Sequence, residues 1–81
     1  MRRTATIKVR GNEITIRELS WADYRHMQEA PQADQPLRAV QRGAYPDKTE
    51  TEVAELLPPA VMVEICDAVL KLSTPEDAEK K

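Results

Sequence analysis

With 81 residues, the chain has material for one small domain. A composition that is 41% hydrophobic and 32% charged points to a globular fold, and no apolar run approaches the ~20 residues of a spanning helix. The formal net charge of −2 gives no overall basic footprint for nucleic acid, while one cysteine and one histidine exclude an internal disulfide and a cysteine-based zinc site.

The charge is unevenly spread: residues 1–40 hold seven Lys/Arg and five Asp/Glu, residues 41–81 five and nine. The halves either attract each other within the fold or face different partners. The start, MRRTATIKVRG, has no apolar h-region, so no secretory signal is expected. Only two glycines occur, Gly11 and Gly43, and no phosphate-cradling glycine loop is present.

Residues 4–18 predict a β-hairpin. Thr6-Ile7-Lys8-Val9-Arg10 and Glu13-Ile14-Thr15-Ile16-Arg17 both alternate polar with apolar. Gly11 at the first loop position suits a type II′ turn at Gly11-Asn12. That turn pairs Arg10 with Glu13, Val9 with Ile14 and Ile7 with Ile16, which puts the four apolar residues on one face. Lys8, Arg10 and Arg17 then fall on the opposite, solvated face.

Ser20 is an N-cap for the next helix, with Asp23 in its first turn and Leu19 and Tyr24 at hydrophobic-staple spacing. Trp21, Tyr24 and Met27 form its apolar stripe, and Pro31 ends it near Ala30. Residues 31–36 read as a loop. Pro36 is placed to open a short helix, Leu37 and Val40 to point inward, and Gly43 to close it. Residues 44–48 are turn-like. Thr49 and Glu52 match a capping box, and a short helix follows through Leu57 with Val53, Leu56 and Leu57 inward. Pro59 opens the last helix, residues 59–72, and Ser73-Thr74-Pro75 ends it. Residues 74–81 form a charged tail expected to be disordered.

The last helix is the most informative segment. Its polar residues Glu64, Asp67 and Lys71 fall within roughly a 60° arc, and its apolar residues span roughly 220°. An ordinary surface helix has a stripe of little more than about 100°. One stripe is Val61, Ile65, Ala68 and Leu72. The other is Met62, Cys66, Val69 and Leu70, with Val63 at its margin. Either both stripes enter the domain's own core, or one meets another chain. A domain of this size buries only about 60–65% of its unfolded surface, which makes two-sided wrapping demanding. Met62 suits a varied partner surface and also suits a core.

Catalytic chemistry finds little footing. His26 has no second histidine or cysteine nearby, and Glu29, three residues on, is its expected surface partner. Cys66 lies on the apolar arc, where a thiolate is disfavoured. Arg2, Arg3, Lys8, Arg10 and Arg17 have no aromatic residues interleaved, so no stacking platform for nucleic acid is formed. Glu50, Glu52 and Glu55 are expected on a cap and a helix surface.

Ile16-Arg17-Glu18-Leu19-Ser20-Trp21-Ala22-Asp23-Tyr24-Arg25 resembles the "vRELT-x-A-E-x-R" opening of small tailed-phage (prophage) tail assembly chaperones. Val53-Ala54-Glu55-Leu56-Leu57-Pro58-Pro59-Ala60-Val61 and Glu64 to Ser73 resemble their closing "v-x-x-Lp-x-x-v-x-x-l-x-x-a-i-x-x-ls" helix. Residues 31–48 are outside the resemblance, and the chain is short for that family. The resemblance implies a non-enzymatic, cofactor-free protein of the bacterial host's cytoplasm. It implies binding to the tape-measure protein, recruitment of the tail-tube protein, absence from the finished particle, and a longer partner form made by frameshifting.

The reading is therefore an α+β fold. A hairpin over the N-terminus is followed by three to four short helices, the last one long and mostly apolar, in one domain over residues 1–73. The expected partner-binding residues are Met62, Val63, Cys66 and Leu70, with Trp21 and Tyr24. Self-association through the same helix is the other expected contact; membrane and nucleic acid are not expected partners. The rival functions are a structural component of the tail or head and a small nucleic-acid-associated regulator.

Overall fold

The computed structural model of the chain describes residues 3–73. Arg2 and the charged segment 74–81 lie outside the described residues. Strands β1 (Thr4–Val9) and β2 (Asn12–Arg17) form an antiparallel hairpin. Four helices follow: α1 (Trp21–Gln28), α2 (Gln35–Gly43), α3 (Glu50–Leu56) and α4 (Pro59–Ser73), with a 3-10 turn at Gln32–Asp34 before α2. The fold is α+β, with its longest helix last.

The hairpin turn sits one residue earlier than the sequence predicts. Val9 pairs with Asn12, so the two loop residues are Arg10 and Gly11, with φ of 52° and 86°. Two successive positive φ values belong to a type I′ turn, whose twist suits a hairpin. Ile7 now faces Ile14 and Ala5 faces Ile16, and Lys8 replaces Arg10 opposite Glu13. The pairing moves by two residues, so every side chain keeps its face. Arg10 leaves the strand and instead reaches Glu64 of α4, at 3.3 Å. Arg17 is half-buried, and its Nε donates to the Arg42 carbonyl at 3.0 Å. The expected continuous basic face is therefore broken.

The apolar face of the hairpin packs on α4, and α4 packs on α2. Helix α2 also carries α1 and α3, so it is the hub of the helical layer. Its Ala39 and Val40 are fully buried, as are Val53 of α3 and Ile65 and Val69 of α4. Each large aliphatic side chain buried in this way contributes about 1.5–3 kcal/mol. Gly43 is chosen for closeness: a Cβ there would lie 2.6 Å from Cγ1 of Val69. Its role is to let α2 approach α4, beyond the helix-closing role read from the sequence. Buried Gln41 donates to the carbonyls of Lys48 (2.8 Å) and Tyr45 (3.4 Å), which ties down the following loop.

The helix starts are built as the sequence predicts. Ser20 Oγ accepts from Asp23 N at 3.1 Å, and the Thr49–Glu52 capping box is complete. Helix α3 ends earlier than predicted. Leu57 adopts an extended conformation (φ −113°, ψ 135°), turning its half-buried side chain toward the core cluster. Leu56 points outward and is 53% exposed. His26 meets Glu50 of α3, Nε2 to Oε2 at 3.0 Å, in place of the expected Glu29. Arg38 joins them: it donates to the His26 carbonyl at 2.7 Å and lies 3.8 Å from Glu50. This cluster clamps α1, α2 and α3 together.

Candidate functional site

Helices α1 and α4 both rest on α2 but scarcely touch each other. A groove of about 960 Å³ opens between them. Its floor is Leu19 and Met27, both buried. One wall is Trp21 and Tyr24; the other is Leu70 and Ser73. The N-cap at Ser20 fixes where α1 starts and so where Trp21 projects. The two rings lie 6.0 Å apart between centroids, inclined at 27°, in a stacked arrangement. Trp21 nevertheless keeps 72% of its surface exposed.

The polar groups at the rim are largely engaged. Ser73 Oγ accepts from Leu19 N at 2.8 Å and donates to the Val69 carbonyl at 2.7 Å. Gln28 Nε2 donates to the Tyr24 hydroxyl at 3.1 Å, and Gln35 Nε2 to the Ala30 carbonyl at 3.2 Å. What the groove offers a guest is apolar and aromatic surface. Among the described residues, no carboxylate, histidine, lysine or cysteine lines it, and the lining holds no pair of side chains suited to proton transfer at neutral pH.

The predicted binding residues fall into three places. Trp21, Tyr24 and Leu70 meet in the groove. Met62 and Val63 line a smaller depression of about 310 Å³ between the start of α4, Leu57 and Leu37. Val63 is 52% exposed there, and Leu56 adds to the exposed apolar surface of that end. Cys66 belongs to neither. It is 7% exposed and packs in the core with Ile65 and Val69, so it presents no surface to a partner. The predicted division of α4 into two stripes is thus redrawn: one continuous buried ridge runs through Ile65, Cys66 and Val69. Burial, and then the neighbouring Asp67 carboxylate, push the Cys66 thiol above its ordinary value, which keeps it protonated.

Sequence reasoning missed Ser73 and Gln35 as groove residues. In the sequence Ser73 marks the end of the last helix; its bond to Leu19 spans 54 positions and leaves no local trace. Among the described residues, no group of three His, Cys, Asp or Glu is placed to hold a metal ion, and no helix is long and apolar enough to cross a membrane. Compared with family models, curated proteins and solved structures, the chain matches none.

Proposed function

We propose that the chain is a non-enzymatic tail assembly chaperone of a tailed phage or prophage. It acts in the cytoplasm of the bacterial host by binding an apolar helix of the tape-measure protein. The observation that carries this reading is the groove between α1 and α4, with Trp21 held in water above an apolar floor. An indole in solvent adds little to folding, whereas a partner helix laid over it buries a large aromatic anchor. A helical guest with apolar residues at i, i+3, i+4 and i+7 suits a groove between two helices. The stretches that resemble the chaperone family, 16–25, 53–61 and 64–73, include Leu19 of the groove floor and Trp21, Tyr24, Leu70 and Ser73 of its walls. The tail-tube protein is the second partner this reading implies.

Co-purification tests the reading. The tagged chain is expressed with the products of its neighbouring open reading frames, and the eluate is identified by mass spectrometry. A large, helical, tape-measure-like protein is expected with the wild type and is lost with Trp21→Ala, while the far-ultraviolet circular dichroism of that variant is unchanged. Elution of the chain alone, with the neighbours shown to be in solution, contradicts the reading.

A further inference from the structure

One edge of the hairpin is self-complementary. Among the described residues the sheet stops at two strands, and no main-chain hydrogen bond from another element reaches Glu13 or Thr15. The turn closes on Val9 and Asn12. In a two-residue hairpin that closing pair exchanges both main-chain hydrogen bonds, so Ile14 and Ile16 also direct theirs at β1. Glu13, Thr15 and Arg17 direct their N–H and C=O groups outward. Their side chains share the face away from Ile14 and Ile16.

We infer that β2 pairs antiparallel with β2 of a second copy, about a two-fold axis at Thr15, to make a four-stranded sheet. In this register Glu13 faces the partner's Arg17, and Arg17 faces the partner's Glu13. The outward main-chain groups of all three residues meet as hydrogen-bonded pairs. Ile14, half-buried in one chain, stands opposite the partner's Ile16, which its own chain already buries, so the apolar residues of the two copies keep to one face of the joined sheet. Other registers lose these matches. A two-fold at Glu13 or Arg17 sets like charges opposite each other, and one at Ile14 or Ile16 sets Glu13 or Arg17 opposite Thr15. Strand β1 carries Lys8 as its single charge and has no such register. Charges commonly protect an edge from foreign strands; here their opposite signs and four-residue spacing admit the chain's own copy. Arg17 is prepared for the contact. Its Nε is held by the Arg42 carbonyl, which restrains the guanidinium at this end of β2. The pairing is independent of what fills the groove.

Sedimentation velocity on the full chain over a range of concentrations tests this, at low and high salt. A concentration-dependent dimer, weaker in high salt, is expected. Glu13→Arg should raise the dimer dissociation constant on the order of tenfold, and Glu13→Arg with Arg17→Glu should recover most of that loss, because the reversed pair is again complementary. Thr15→Pro removes an N–H that the hairpin does not use, so it should abolish the dimer with the circular dichroism unchanged. A monomer at every concentration overturns the inference. So does a dimer indifferent to Glu13→Arg, or a double variant no better than the single one. If Thr15→Pro fails to fold, the charge exchange decides alone.

Discussion

Helices α1 and α4 flank the same hub, yet only one seam is closed. Where α2 meets α4 the residues are small or branched: Ala39, Val40 and Gly43 from α2, Ile65 and Val69 from α4, all buried. The missing Cβ of Gly43 lets the two helices come together over Val69. Between α1 and α4 stand Trp21, Tyr24 and Leu70, and there the helices stay apart. Small side chains permit close approach of helix axes, and no such close-packed seam joins α1 to α4. One helix therefore has two settings: its Ile65–Val69 ridge lies in the core, and its Leu70–Ser73 end lines the open groove.

The closed seam is where substitutions should cost most. Ile65→Ala is expected to lose about 2–5 kcal/mol, read from urea unfolding, because the side chain is fully buried and its neighbours can only partly collapse. A loss below about 0.5 kcal/mol would show that the ridge is not the core. Gly43→Ala should cost about 1–3 kcal/mol through overpacking against Val69. Val69→Ala made in the same chain should relieve part of that cost, which a double-mutant cycle measures.

The cap of α3 ranks next. Thr49→Ala removes the acceptor for Glu52 N and should cost about 1 kcal/mol. Acidification should have a smaller effect. The Arg3 main-chain N–H, reinforced by the Arg3 side chain, holds the Glu18 carboxyl below its ordinary 4.5, and the Thr49 main chain, with the Thr49 side chain, does the same for Glu52. Both folded values are lowered, so their contribution is present above that ordinary value and fades as pH falls through the lowered ones. The urea midpoint should drop modestly from about pH 6 to about pH 3, and a midpoint that rises would contradict the assignment.

The difference between the two seams was only partly legible in the sequence. Alternation in β1 and β2 fixed which residues share a face, because burial enforces parity. It did not fix the turn, since Gly11 serves a positive φ as well at the second loop position as at the first. The polar arc of Glu64, Asp67 and Lys71 told which side of α4 meets water. The angular pattern of one helix does not say where its neighbours stand, so it puts Cys66 and Leu70 on one stripe although the first is core and the second lines the groove. Helix α2, the hub, gave a weak signal because its key residues are small: Ala39 and Gly43 matter by their size, not their hydrophobicity. Glu50, which meets the His26 ring, lies 24 positions away, and Leu19, whose N–H donates to Ser73, lies 54 away, beyond any local pattern.

The open seam is expected to be nearly neutral for folding: Trp21→Ala should change stability by no more than about 0.5 kcal/mol. Its test is fluorescence, because Trp21 is the chain's one tryptophan and is 72% exposed. Tryptophan-free helical segments of the proposed partner, the tape-measure protein, are titrated into the chain while its emission is followed. The account predicts a saturable shift to shorter wavelength as the indole leaves water, weakened in a Leu70→Lys variant that retains its fold. A segment that binds by calorimetry while the emission of Trp21 stays unmoved would contradict it and place the partner elsewhere on the molecule.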